Sequence, residues 1–341
     1  MINVGIVGLG FMGVTHIKAY RKIEGVKVAA ICDAYRLPVD GDLSQVGGNI
    51  DTDNPVKLDM QQVRAYQKLD DLLADTTIDL IDLCVPTTQH PAAAIAALRA
   101  GKHVVCEKPM ARTAGLAREM VAAAETARGF LLPAMCMRFW PEWLWVKQAI
   151  ADQRFGPAIA ARFRRMSEPP GWSRATYFQG AESGGALLDL HIHDVDFVQY
   201  CFGRPRRVFA SGLSRFSGAI DHVVAQYQLA GGAVVYAEGS WAMAEGFGFN
   251  MAYTVIFEKA TADYDLARGP DALRLFETGQ PPRFVRCEGE DGYVGELRHM
   301  IQSIQSGHAP DVVTPRDALS AVEICEAEEE SIRTGQPVTL A

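Results

Sequence analysis

Through the first third of the chain, short apolar runs rich in Val and Ile alternate with Ala- and Leu-rich stretches of helical period. The runs predict strands at 2–7, 26–33, 79–85, 103–106 and 130–136. The periodic stretches predict helices at 12–23, 60–74, 90–100 and 113–128. Strands that are apolar along their whole length belong in a parallel sheet covered on both faces. The segment Leu37–Asp59 breaks the pattern. It holds five aspartates, three glycines and two prolines and has little periodicity, so it reads as a solvated loop.

Beyond residue 137 the pattern changes. Arg206–Phe216, Asp221–Leu229, Ala233–Trp241 and Met251–Phe257 read as successive strands, with a turn at Gly231-Gly232. A helix over 183–201 precedes them, and helices over 291–306 and 316–334 follow. Tyr227, Tyr236, Trp241 and Tyr253 fit a buried face of this sheet. The expectation is two domains, 1–136 and 137–341, with the last helices able to pack back on the first.

The turn after the first strand carries chemistry. Gly8, Gly10 and Gly13 form G-x-G-x-x-G directly after the strand and open a helix. Gly8 allows the tight turn, Gly10 leaves room for a pyrophosphate, and Gly13 lets helix and strand pack closely. The helix N-terminus, with Phe11 and Met12, offers N–H groups and a positive dipole end to the phosphates. Asp33 ends the second strand, twenty residues after Gly13, where a carboxylate reaches the adenosine ribose. The fold class is therefore α/β: an N-terminal Rossmann dinucleotide-binding domain plus a C-terminal α+β domain with a large, mainly antiparallel open sheet. Asp33 favours NAD over NADP, because a 2′-phosphate would meet a like charge; Arg36 is expected to face solvent.

Composition removes other classes. Hydrophobic residues make up 48% and charged residues 22%, with a net charge of −8. That balance offers no basic footprint for nucleic acid or anionic lipid. No apolar stretch approaches the roughly 18 residues of a membrane helix. The N-terminus runs straight into a strand without the marks of a signal peptide, so a cytoplasmic location is expected. The seven cysteines are scattered without a C-x-x-C pair. Cys32, Cys84, Cys106 and Cys136 sit at or near strand ends, as reduced buried thiols do, and no metal site is expected.

Two further segments hold candidate catalytic groups. Gly101–Met110 places Glu107-Lys108-Pro109 at the carboxyl end of a strand, the edge where open parallel sheets bind ligands. Gly184-Gly185 leads into Asp189, His191, His193, Asp194 and Asp196. Helical spacing puts Asp189 and His193 on one face and turns His191 away. A carboxylate one turn before an imidazole can orient it and raise its basicity, and histidine carries protons near neutral pH. Taken alone, such a pair is more often a satisfied structural histidine. Lys108 beside a dinucleotide motif changes the balance.

Together these motifs resemble the glucose–fructose oxidoreductase/inositol dehydrogenase (Gfo/Idh/MocA) family. The glycine motif, Glu107-Lys108-Pro109 and the Gly184–His193 helix match its hallmarks. Arg138-Phe139 is similar to its R-F segment, and Pro86 with His90 to its strand end beside the nicotinamide. The ending, 295–340, resembles its last two helices. Leu37–Asp59 departs from the pattern.

The resemblance implies an NAD-dependent oxidoreductase acting on a secondary alcohol of a cyclic polyol or sugar. It implies that Lys108 binds the reacting hydroxyl, that His193 is the general acid/base and that Asp189 positions both. Pro86, His90, Glu107 and Lys108 join the glycine loop and Asp33 around the cofactor, while Arg138 and Trp172 join Asp189 and His193 around substrate. Asp194 and Asp196 resemble the inositol dehydrogenase version and tilt the reading to inositol-like polyols. A homodimer or homotetramer built through the C-terminal sheet is implied, with no nucleic-acid or membrane partner. Two alternatives stand beside this reading: an NAD-dependent redox-assisted glycoside hydrolase, and a non-catalytic nucleotide-binding regulator.

Overall fold

The computed structural model describes residues 1–48, 55–171 and 177–340. Two compact units emerge: Met1–Cys136 with Asp291–Leu319, and Met137–Glu290 with Ser320–Ala341.

The first unit is built on strands β1 (Ile2–Val7), β2 (Val26–Cys32), β3 (Arg64–Tyr66), β4 (Leu80–Leu83), β5 (His103–Glu107) and β6 (Leu131–Ala134). All pair in parallel, in the order β3-β2-β1-β4-β5-β6. The order reverses between β1 and β4, and ligands bind outside the carboxyl ends of the strands at such a switch point. Val4, Ile6, Leu80, Ile81 and Leu83 are fully buried, which is why these strands read as apolar runs, interrupted in β4 only by the buried Asp82. The helices are α1 (Phe11–Tyr20), α2 (Leu69–Ala74), α3 (His90–Arg99) and α4 (Ala114–Thr126). A later helix, Gly292–Ser306, also belongs to this unit and packs on α1.

Two expectations need correction here. The stretch 60–74 is not one helix: it contains the edge strand β3 and then the short α2. Three residues with two exposed side chains are too few to show a two-residue period. Leu37–Asp59 is also more than a solvated loop. Asp42 and Lys57 form an antiparallel bridge, and the Leu43 N–H donates to the Val56 carbonyl at 2.9 Å. Leu43, Val56 and Leu58 are buried. Three spaced apolar residues anchor the segment without producing a period.

The second unit is a nine-stranded sheet among the described residues, with helices α5 (Pro141–Ala151) and α6 (Ile192–Phe202). Its strands are β7 (Ala158–Ser167), β8 (Arg207–Leu213), β9 (His222–Gln228), β10 (Val234–Ser240), β11 (Phe249–Phe257), β12 (Ala260–Asp265), β13 (Leu273–Glu277), β14 (Arg283–Phe284) and β15 (Val338–Thr339). The order is β14-β13-β12-β11-β7-β10-β9-β8-β15. Every pair is antiparallel except β7 with β10.

One face carries an aromatic core. Trp143 of α5 is fully buried and meets Phe197 of α6 edge-on at 4.7 Å and Tyr253 of β11 at 5.3 Å. Rings in this geometry bind beyond the area they bury. Tyr227, Trp241 and Tyr253 are buried as expected; Tyr236 is 37% exposed. Tyr236 lies opposite Gln226 of β9 and Arg162 of β7, on the polar-rich face.

Candidate active site

The carboxyl edge of the first sheet collects the predicted cofactor residues. A Cβ on Gly13 would lie 2.0 Å from the Gly8 carbonyl oxygen. Gly8 itself has φ +92°, and a Cβ there would meet the Cys84 carbonyl at 2.5 Å. Strand, loop and helix are thus pressed together at two points where only hydrogen fits. Gly10 differs: a Cβ there would meet no protein atom within 4 Å. Helix α1 starts at Gly10 without a side-chain cap and without an acid in its first turn. A backbone bare for no internal reason, at a positive helix end, fits a pyrophosphate. Phe11 and Met12 are half-buried beside it.

Asp33 is more tightly held than its position in the sequence suggests. One carboxylate oxygen accepts the Leu9 N–H at 2.9 Å; the other accepts those of Tyr35 and Arg36 at 2.8 and 2.9 Å. The carboxylate ties the end of β2 to the glycine loop and has acceptor capacity beyond these three bonds. Arg36 is exposed.

The ends of β4 and β5 are joined through His90. Its Nδ1 lies 2.8 Å from the Pro109 carbonyl and its Nε2 2.8 Å from the Val85 carbonyl. Both contacts are hydrogen bonds only in the imidazolium. Burial pulls the pKa of His90 below its ordinary value, so the neutral ring donates to one carbonyl at a time. Pro86 is exposed at the start of the following turn. Lys108 is half-buried at the carboxyl end of β5. The Glu107 side chain folds inward, and one of its oxygens accepts the Lys108 backbone N–H at 3.0 Å.

Behind Glu107 lies a cluster that the sequence reading missed. His16 of α1 is fully buried. Its Nδ1 is 2.8 Å from an Asp82 oxygen, and its Nε2 is 3.1 Å from Glu107 and 4.0 Å from Glu296. Burial pushes the His16 pKa down, but Asp82 and Cys84 outweigh it and raise it well above the usual value. Burial raises Glu107 as well, but the His16 ring 3.1 Å away brings it below its ordinary value. Burial pushes Glu296 far up, so it is held as the acid. Ligand atoms of His16, Asp82 and Cys84, and of His16, Glu107 and Glu296, are close enough to share a cation. A protonated imidazole offers no lone pair for one. The sequence signal was a histidine on the buried stripe Gly13, Ile17, Tyr20 of α1.

A pH test follows from Glu296. A carboxyl held neutral in the folded state contributes stability below its unfolded pKa, and that contribution is lost as pH rises toward the folded value. Glu296→Gln keeps the shape and removes the titration. Its melting temperature relative to the unsubstituted protein should therefore climb between about pH 5 and about pH 8. A difference that is flat across a scanning-fluorimetry series excludes the assignment.

In the second unit, Gly184 and Gly185 have φ of +79° and +69°. A Cβ on Gly185 would lie 2.5 Å from the Ile220 carbonyl oxygen. This forced turn leads into a π-helical turn, Leu187–His191, that continues as α6. Single π turns in α-helices recur at functional sites. Asp189 and His193 are both half-buried, whereas His191, Ile192, Asp194, Val195 and Asp196 are buried. His191 faces inward, its Nε2 3.2 Å from Glu328 and 3.4 Å from the Tyr227 hydroxyl.

Two buried ion pairs brace this helix. Asp194 takes Arg165 of β7 at 3.0 and 3.3 Å, and Asp196 takes Arg138 at 2.8 and 2.7 Å. The forked donors of Arg138 thus face Asp196, with Tyr200 4.4 Å beneath the guanidinium. Trp172 lies outside the described residues.

A switch-point glycine loop, a ribose-side carboxylate and a strand-end lysine define a dinucleotide-dependent oxidoreductase. Comparison with known proteins makes this specific. Residues 2–133 match the oxidoreductase family profile described as an NAD-binding Rossmann fold, and residues 143–263 match the GFO/IDH/MocA C-terminal domain. The chain belongs to the GFO/IDH/MocA oxidoreductase family, and its first unit is an NAD-binding domain.

An uncharacterised oxidoreductase of Bacillus subtilis is 28% identical over 99% of this chain and 96% of its own. Myo-inositol 2-dehydrogenase of Thermotoga maritima is 25% identical over 99% and 98%. Trans-1,2-dihydrobenzene-1,2-diol dehydrogenase of Mus musculus is 33% identical over 50% of this chain and 51% of its own. Levoglucosan dehydrogenase in complex with NADH and L-sorbose shares the fold, with a TM-score of 0.85 at 21% identity over 100% and 99%. No helix among the described residues is long and apolar enough to cross a membrane.

Proposed function

We propose that the protein is an NAD-dependent dehydrogenase acting on a secondary alcohol of a cyclic polyol or sugar. The observation that carries the reading is Lys108, half-buried at the carboxyl end of β5 with its backbone held by Glu107. An ammonium carried on this edge stabilises negative charge that develops on a substrate oxygen. Bound NAD supplies the hydride acceptor. His193 takes the hydroxyl proton and Asp189 orients the imidazole. The half-buried positions of both side chains, four residues apart where the π turn runs into α6, support these roles. The relatives named for myo-inositol and for dihydrobenzenediol both act on ring-borne neighbouring hydroxyls, which favours a ring-borne diol here. A panel of polyols, sugars and sugar acids with NAD, read by NADH absorbance, tests the reading; absence of NADH with every member overturns it.

NAD is the expected cofactor over NADP, by about tenfold or more in kcat/KM, equivalent to ~1.4 kcal/mol. The Asp33 carboxylate is held at the end of β2 against the glycine loop, which supports a place for it beside the ribose, while Arg36 is exposed. Asp33→Ser should narrow the gap. It should also weaken both cofactors, because the acceptor for the Leu9 N–H is lost. Equal performance of NADP with the unsubstituted protein refutes the preference.

The second-unit sheet supports a homodimer or homotetramer: its open face carries Phe209, Val224 and Tyr236, each 37–42% exposed. Light scattering should return a multiple of the chain mass. A cytoplasmic location fits seven cysteines that are all free thiols.

A further inference from the structure

We infer that His16 is a positioning residue for the reaction: through Glu107 it fixes the backbone from which Lys108 reaches substrate. The inference rests on the function proposed above. The path has two links. His16 Nε2 lies 3.1 Å from one Glu107 oxygen, and the other Glu107 oxygen accepts the Lys108 N–H at 3.0 Å. The ring is itself oriented by Asp82 of β4, 2.8 Å from its Nδ1. Helix α1 starts at the glycine loop, so the same element that meets the cofactor phosphates also sets the catalytic lysine.

A buried carboxylate needs a cationic partner, and breaking a buried pair is costly. Glu107 is 5% exposed and His16 fully buried. Besides His16, the charges that act on Glu107 are those of Lys108 and His90, and burial keeps His90 neutral. Without His16, Glu107 turns to the Lys108 ammonium. The lysine is then drawn inward, onto its own neighbour, and away from the substrate oxygen.

His16→Gln tests this. It keeps a side chain that can hydrogen-bond but removes the cation. Expected is a loss of about tenfold or more in kcat, with the dissociation constant of NADH, read by fluorescence titration, changed less than about twofold. The double variant His16→Gln/Glu107→Gln removes the carboxylate that captures the lysine and should recover part of the loss. A merely structural role would instead give additive damage.

A second measurement needs no substrate. Competitive acetylation mapped by mass spectrometry should show Lys108 labelled about threefold or more slowly in His16→Gln, as its ammonium pairs with Glu107, with other lysines unchanged. An unsubstituted enzyme inactive on the whole panel defeats the proposed function, and the labelling result still decides the role of His16. Unchanged labelling, unchanged kcat in a folded variant, or a double variant no better than the single one overturns the inference.

Discussion

Replacing His193 by alanine is expected to lower kcat by roughly 100- to 10,000-fold, the scale of one general acid–base group. The imidazole is half-buried at the start of α6, and Asp189 is half-buried one π turn before it. The melting temperature should fall less than for a fully buried histidine, since this ring is only half-buried. His191→Ala provides the contrast. That ring is fully buried against Glu328 and Tyr227. Its removal takes one of two partners from the buried Glu328, which keeps the Tyr227 hydroxyl at 2.7 Å, a loss of about 1–3 kcal/mol. The His191 variant should therefore melt earlier while its folded fraction turns over nearly as before. If His191→Ala proves the more damaging to kcat in folded protein, the proton carrier is the other histidine.

Lys108→Ala should cost roughly 100-fold or more in kcat, the scale of removing one electrostatic stabiliser. NADH should bind nearly as before. The clamp on this segment runs from Glu107 to the backbone N–H of residue 108, which alanine retains. The glycine loop and Asp33 are held by their own contacts. Near-normal turnover of a verified substrate sinks the role given to Lys108. A large loss of NADH affinity would instead assign Lys108 to cofactor binding.

Much of this was legible in the sequence because apolar runs and glycines carry local information. β1, β4 and β5 are apolar because they are covered on both faces, and Gly8 and Gly13 are required by contacts of 2.0–2.5 Å. Gly184-Gly185 and the acid–imidazole spacing also register locally. What escaped depends on partners far away in the chain. β7, at the centre of the second sheet, was hidden by Arg162, Arg164 and Arg165, whose charges break an apolar run. Arg165 is 3% exposed and tolerated only because Asp194 pairs with it. His16, Asp82, Glu107 and Glu296 come together from four separate elements, and no spacing rule announces them.

The two acids after His193 bear on how this family's sequences should be compared. Asp194 and Asp196 point at buried arginines, so they report the seating of a helix and say little about substrate. A guanidinium left without its carboxylate in the core costs about 3–5 kcal/mol, a large share of the about 5–15 kcal/mol that keeps a protein folded. Across descendants of one ancestor, Asp194 should then be exchanged only together with Arg165, and Asp196 only together with Arg138. Such paired drift can proceed while His193 and Lys108 stay fixed. Conversely, on the role proposed for His193, a lineage that keeps both pairs intact but has lost that histidine should fold without turning over, a distinction that position-by-position conservation scores miss.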